Sequence, residues 1–534
     1  MHPRKLPRDI LERVDRVMEY HRSTKLTATS VRAQPTVLDP ATKPSAYRCF
    51  DDQPAIPLPT TLLDAPVPAL AVLSEGLTAV PESQVHPSQD IKTLASWLYL
   101  ADGLSAKHDA SVVAQSARTC PSAGSLYPYE IYVAAFGIEG LEPGLYHYNV
   151  RDFSLCKLRE GPETLSTIKR GRPDLNFLKS MPAVLLVSTI FWRSAWRYRQ
   201  RGYRMALLDA GHLVQNIVAA GNGLGIQTMP RFQIHDKTMR ELIGVPAGTD
   251  FDGAECVQAM VVWANEAKKP LADSSSFLPR PALPRIKRSS LSQNHVPYGS
   301  ILATHEDCIA PGVAVREIRP PLTELSPVFA GDLSPAPPYA QPLEDGPSIR
   351  QMLMSRRSTR TFAERPITRD QFLAINRLAF RGGSVFPLTP DGPHVALLRP
   401  YWINHLVAGM DSGVWYYDPI GDNLACISRG DFHAKSAYLC VEQKICGQAA
   451  AVCFLMADLK RLTTGAGPDA YRLAHLEAGL MAQRVYLAAN SIGLGCCGIG
   501  AFYDDEVRNF LGLMETSWEA IYALAAGIPA GRVQ

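Results

Sequence analysis

The chain has 534 residues, 46% hydrophobic and 20% charged, with a formal net charge of +3 at pH 7. That length exceeds what one hydrophobic core organises, so several domain-sized units are expected. The near-neutral balance gives no electrostatic footprint for nucleic acid or a membrane surface, and eleven cysteines without a C-x-x-C pair support neither a disulfide framework nor a zinc ribbon.

The opening segment, MHPRKLPRDILERVDRVMEYH, is charged and lacks the apolar stretch of a signal peptide. Apolar runs such as Ala183–Ile190 fall far short of the ~18–20 residues of a membrane span, so a cytoplasmic protein is expected. Ile131–Ala135 and Gly144–Tyr148 read as strands, and Ala183–Ile190 as a strand buried on both faces. Tyr203–Gly223 follows as a long Ala/Leu-rich helix ended by glycine, then Thr238–Leu242 as a short one. A third of the 42 prolines fall between residues 267 and 347, which reads as a linker or extended arm. Beyond it Ala451–Ala457, Tyr471–Ile492 and Glu506–Leu511 repeat the strand, long helix and short helix.

The repetition keeps one register. A shift of 268 positions sets Tyr203-Arg204 on Tyr471-Arg472, Asp209-Ala210-Gly211 on Glu477-Ala478-Gly479, and Gly244 on Gly512. A shift of 269 sets Gly144–Tyr148 on Gly413–Tyr417. The chain thus reads as a duplicated α+β domain, residues 1–266 and 348–534, joined through 267–347. Long helices that are apolar over most of their surface would bury themselves against each other, making an intramolecular pseudo-dimer.

The second copy opens with SIRQMLMSRRSTRTF, in which Arg356, Ser358 and Arg360 alternate. An extended segment presents all three on one face, where two guanidiniums and a hydroxyl suit a phosphate; a solvated basic surface is the plainer alternative. This R-x-S-x-R, with the long helix and Gly493-Leu-Gly495, resembles the FMN-dependent nitroreductase superfamily. The first copy resembles its SagB/McbC branch, the azoline dehydrogenases, at Tyr20-His21, Thr24-Lys25, Arg118–Pro128, Pro143–Tyr148 and Trp196–His212. The resemblance implies two tandem nitroreductase-like domains with FMN lying between them.

The copies are unequal. The first carries Pro121-Ser-Ala-Gly124 but no cation in the stretch Leu73–Val80, where R-x-S-x-R would fall. The second carries R-x-S-x-R but no Pro-Ser element near Gly382–Pro387. The resemblance therefore implies one composite FMN site per chain. Arg356, Ser358, Arg360 and Arg532 would hold its phosphate, and Gly498, Ile499, Gly500 and Ala501 would run beneath the flavin. From the first copy, Pro121, Ser122, Ala123 and Gly124 would cover the opposite side, unless they form a plain turn.

Azoline dehydrogenases carry a Lys-Tyr pair before the long helix; here stand Arg197 and Tyr198, with Gly465 and Ala466 at the shifted positions. Arginine cannot accept a proton, so the expectation is that Arg197 lowers the pKa of Tyr198 and makes tyrosinate the base. The alternative is that both belong to an aromatic, arginine-rich surface suited to an acidic or peptide substrate. His212 reads as a packed core histidine. The implied activity is oxidation of thiazoline or oxazoline rings in a peptide or carrier-bound substrate, with reoxidation by dioxygen. An NAD(P)H-fed reductase and a non-catalytic scaffold subunit are the alternatives.

Overall fold

The computed structural model describes residues 6–33, 38–50, 52–74, 87–106, 117–172, 181–232, 234–245, 251, 253–264, 283–309, 333–338, 346–381 and 397–531. Each copy builds a seven-stranded antiparallel sheet. In the first, β1 (Ala55–Pro57), β2 (Tyr129–Ala135), β3 (Gly144–Asn149), β4 (Ser154–Glu160), β5 (Ala183–Ile190), β6 (Gln227–Arg231) and β7 (Glu255–Ala264) lie in the order β1-β4-β3-β2-β5-β7-β6. In the second, β8 (Ser334–Pro335), β9 (Arg399–Asn404), β10 (Gly413–Asp418), β11 (Asn423–Arg429), β12 (Ala451–Asp458), β13 (Gly495–Ile499) and β14 (Trp518–Gly527) repeat it as β8-β11-β10-β9-β12-β14-β13. Strands β5 and β12 are buried at every residue, which is why their sequences are apolar without alternation.

The helices that position the seam between the copies are α1 (Arg8–Ser23), α2 (Phe191–Tyr198), α3 (Gly202–Gly223), α4 (Asp236–Leu242), α5 (Gly299–Cys308), α6 (Asp469–Ser491) and α7 (Asp504–Phe510). Helices α3 and α6 pack against each other where Gly211 meets Gly479. A Cβ on Gly211 would run into the Leu476 carbonyl, and one on Gly479 into that of Leu208. The matched glycines of the repeat are therefore the contact that lets two backbones touch. One hydrophobic core runs through both copies, with Trp97, Leu213, Leu480 and Leu524 among its fully buried members. A smaller core around Met239, Val257 and Met260 lies within the first copy. This is the α+β pseudo-dimer expected of the repeat.

The proline-rich stretch holds more than a connection. Pro335 sits in the edge strand β8, where a missing N–H does no harm to the ladder. Residues Pro284 to Ser292 lie against the first copy, with Ser45 N donating to Leu291 O at 2.8 Å and Arg288 paired with the buried Glu255 at 2.7 Å. Helix α5 stands to the second copy as α1 does to the first. His21 Nδ1 lies 3.3 Å from Tyr471 Oη, and His305 Nδ1 lies 3.1 Å from Tyr203 Oη, so each histidine meets the tyrosine that opens the other copy's long helix. The two helices also touch each other through Arg16 and Asp307 at 2.7 Å. Among the described residues no helix is long and apolar enough to cross a membrane.

Candidate functional site

The Pro-Ser loop of the first copy is fastened from three directions. Arg118, just before it, is buried, pairs with Asp102 at 2.7 Å, donates to Ala46 O at 2.7 Å and lies 4.5 Å over the Tyr127 ring. Arg356 reaches across from the second copy, donating from Nε to Thr119 O at 2.8 Å and from Nη2 to Arg118 O at 3.2 Å. Two of its N–H groups thus hold backbone rather than a phosphate, and Nη1 is what it leaves for a ligand. The third fastening is Asp209 of α3: Ser122 Oγ donates to Oδ2 at 2.6 Å, and Ala123 N donates to Oδ1 at 3.0 Å. Ser122 Oγ in turn accepts from Tyr127 N at 2.8 Å. Burial pushes the Asp209 carboxyl up to about 7, although the Ser122 and Ala123 hydrogen bonds oppose that rise.

Gly124 has φ +64°, and a Cβ there would lie 3.0 Å from both Tyr198 Oη and Arg197 Cδ. The structure thereby brings the Arg-Tyr pair at the end of α2 against the loop. Arg197 is exposed, with its guanidinium carbon 6.0 Å from the Tyr198 ring centre. The expectation of a tyrosinate is corrected: burial raises Tyr198 to about 12, and Arg197 pulls the other way without prevailing. Asp209 adds to the rise by charge. At neutral pH Tyr198 is a phenol.

From the second copy, Ser358 Oγ lies 2.9 Å from Tyr486 Oη, which also accepts from Gly498 N at 2.6 Å. Arg356 lies over the same ring at 5.6 Å, so Arg356 and Ser358 converge on Tyr486. Arg360 is exposed, with Nη1 directed to Cys497 Sγ at 4.0 Å; among the described residues it has no carboxylate partner. The turn after β13 has backbone amides to offer: among the described residues neither Gly500 N nor Ala501 N donates to a protein acceptor. The glycines of this turn answer to the protein itself. A Cβ on Gly498 would collide with Tyr522 Oη, and one on Gly500 would come within 2.7 Å of Met205 Sδ from the first copy. Ile499 is buried, and Ala501 O accepts from Gln443 at 3.3 Å. Arg532 and Gly382–Pro387 lie outside the described residues, as does most of Leu73–Val80.

Beneath this seam runs a buried polar chain. His212 Nδ1 meets Gln483 Oε1 at 3.0 Å and its Nε2 lies 3.2 Å from Tyr522 Oη; Gln483 Nε2 donates to Asn216 at 2.6 Å. Burial lowers His212 to about 3, so it is a neutral bridge between the copies. To one side Asp504 accepts from Arg201 at 2.9 Å, Arg204 at 3.0 Å and Leu26 N at 2.9 Å. Burial opposes its charge, but the two guanidiniums hold it at about 2. The sequence reading passed over Asp209, Tyr486, Asp504 and Tyr522 as functional residues; Asp209 carried a signal, being an acid inside an otherwise Ala/Leu-rich helix.

Both halves match one sequence family. The nitroreductase family profile covers residues 99–262 and 353–528. The chain belongs to the nitroreductase family. A nitroreductase-family protein of Methanocaldococcus jannaschii is 31% identical over 172 residues, 31% of this chain and 85% of that protein. The trifolitoxin-processing protein TfxB of Rhizobium leguminosarum bv. trifolii is 31% identical over 130 residues, 24% of this chain and 35% of TfxB. The microcin B17-processing protein McbC of Escherichia coli is 31% identical over 118 residues, 21% of this chain and 42% of McbC. The chain therefore matches less than half the length of each of the two processing proteins. A nitroreductase-family crystal structure from Anabaena variabilis aligns over 96% of this chain and 99% of its own, with a TM-score of 0.72 and 25% identity, so both halves share its architecture.

This nitroreductase-family chain is not symmetric about its seam. At the place related by the repeat, Pro230 and Phe232 stand where Gly498 and Gly500 do, and the buried Phe232 occupies the turn with its carbonyl held by Arg472 at 2.7 Å. Glu477, the counterpart of Asp209, accepts from Leu397 N at 2.8 Å. The acid-to-amide fastening is kept there; the glycine turn is not.

Proposed function

We propose that this chain is an FMN-dependent oxidoreductase that converts thiazoline or oxazoline rings of a peptide or carrier-bound precursor into thiazoles or oxazoles. The observation that carries the reading is the meeting, at one seam, of the Arg197–Tyr198 pair and the Pro121–Gly124 loop with Arg356, Ser358, Arg360 and the turn Gly498–Ala501. The likeness to McbC and TfxB supports the substrate class. The donor set fits a flavin mononucleotide. Arg360, Ser358 and Nη1 of Arg356 would hold the phosphate, and the unpaired Gly500 and Ala501 amides are donors for the ring edge. Ser122 is engaged by Asp209, so the loop would cover the cofactor through its backbone and Gly124 rather than through that hydroxyl.

When bound, FMN would supply the two-electron acceptor for the azoline's hydride, with dioxygen as the final oxidant. The accompanying proton would go to Tyr198 in its phenolate form, the minor form at neutral pH, with Arg197 orienting the side chain and presenting positive charge to the substrate. Arg204 and Arg201, held by Asp504 of the other copy, keep the start of α3 in place behind the site.

The test is incubation of the purified chain with azoline-containing peptides under air, followed by mass spectrometry. Loss of two hydrogens from the ring supports the reading; an unchanged mass with a fully flavin-loaded protein removes it. One observation favours a second reading, a reductase fed by NAD(P)H: a phenol held near 12 is a better proton donor than acceptor. Rapid bleaching of the flavin by NAD(P)H, with no azoline turnover, would select it.

A further inference from the structure

We propose that Asp236, Cys256 and His305 form a buried zinc site that joins α5 of the second copy to α4 and β7 of the first. One ligand atom from each residue lies within 4.8 Å of the others, and all three residues are buried. His305 Nε2 and Asp236 Oδ1 are 3.7 Å apart, too far for a hydrogen bond, and each is buried without a partner among the described residues. Bonds of ~2.0–2.3 Å to a tetrahedral zinc separate ligand atoms by roughly 3.3–3.8 Å, so the trio needs only a small contraction. The other ring nitrogen of His305 is held by Tyr203 Oη at 3.1 Å, the outer support that metal-binding histidines commonly have.

The repeat supplies an internal control. Asp504 on α7, Glu519 on β14 and His21 on α1 are the repeat counterparts of Asp236 on α4, Cys256 on β7 and His305 on α5. The strand register matches Cys256, opposite Thr189, with Glu519, opposite Ala457; the 268 shift matches Asp236 with Asp504, and the contacts to Tyr203 and Tyr471 match His305 with His21. In that control the space between the acids is filled by cations. Arg201 and Arg204 pair with Asp504, and Lys25 lies 2.7 Å from Asp505 and 2.8 Å from Glu519. Around Asp236 those cations are replaced. The counterpart of Arg201 is Asp469, and Arg472, the counterpart of Arg204, turns to Asp469 at 2.6 Å and to the carbonyls of Gln258 and Phe232. A carboxylate, an imidazole and a thiol that face one another where the mirror position holds cations are a ligand set for a divalent metal, and mixed N/O/S donors select zinc.

The test uses the full chain, stripped with a chelator, then titrated with zinc and separately with cobalt as a spectroscopic probe. The expected result is one metal per chain, a rise in melting temperature on adding zinc, and a thiolate-to-cobalt charge-transfer band that Cys256→Ala abolishes. Asp236→Asn, which keeps the thiol, should weaken zinc binding by about tenfold or more. Absence of stoichiometric metal in the wild type overturns the proposal, as does a band that survives Cys256→Ala or an affinity that Asp236→Asn leaves unchanged. Flavin content is read in parallel, since the zinc site stands or falls independently of it.

Discussion

At the scale of single residues, Asp209 is an acid whose ordinary ionisation is suppressed by burial. Its carboxyl titrates near 4 in an unfolded chain and at about 7 here, so folding takes up a proton between those values. Stability from this group is full below about pH 4 and is lost as pH rises through about 7. Asp209→Asn removes that dependence, and urea midpoints should show the variant gaining on the wild type between pH 5 and pH 8. Equal slopes would mean that the carboxyl is already ionised at pH 5. Tyr198 carries a separate expectation. If it removes the substrate proton, the phenolate fraction grows about tenfold per pH unit below a pKa of about 12, so turnover climbs throughout the range from pH 7 to 10. A plateau at neutral pH would assign the proton to another group, and Tyr198→Phe should retain bound flavin while losing turnover. Arg360→Ala isolates the phosphate contact more cleanly than Arg356→Ala, because Arg360 is exposed while Arg356 also fastens the Thr119 carbonyl. Flavin affinity should fall about tenfold in the Arg360 variant, with the melting temperature of the flavin-free protein unchanged.

At the scale of elements, the crossing of α3 and α6 has no room for a side chain. Gly479→Ala sets a Cβ against the Leu208 carbonyl, and the helices must separate to relieve it. Overpacking of this kind costs about 1–3 kcal/mol, and the loss should be visible as a lower urea midpoint with flavin affinity reduced in step, since the seam holds both. These glycines, like the strands Ala183–Ile190 and Ala451–Asp458, were readable because the repeat conserves spacing within an element. Helix α5 was not: it lies 284 residues from its counterpart α1 rather than 268, inside a proline-rich stretch, and shares with it only a buried histidine. The pieces of the seam were legible as motifs, whereas their bonding was not. No local pattern shows that Arg356 grips the carbonyls before the Pro-Ser loop, or that Tyr522 and Met205 are what require Gly498 and Gly500. The Arg356 and Met205 pairings join residues hundreds of positions apart, and the Tyr522 one crosses between neighbouring strands. The pKa of Tyr198 failed for a related reason: the sequence shows the neighbouring arginine but not the burial that outweighs it.

At the scale of the molecule, the duplicated halves share one core, and their polar seam is buried as well. Neither half presents a surface that could be exposed without uncovering α3 or α6, both of which are buried along nearly their whole length. Unfolding of one copy would therefore strip the apolar face of the other, and calorimetry of the full chain should give one transition rather than two. Two resolved transitions would mean that the copies are stable separately. The strongest polar tie in this coupling is Asp504, which belongs to the second copy and is gripped by Arg201 and Arg204 of the first. Its carboxyl, held at about 2 against an ordinary value near 4, contributes stability that is present above pH 4 and lost as pH falls through 2. Asp504→Asn leaves two buried guanidiniums without their counter-charge, a change of the kind that costs about 3–5 kcal/mol. The transition should move to lower temperature at pH 7 while remaining single, because the lost ion pair weakens a joint that both copies depend on.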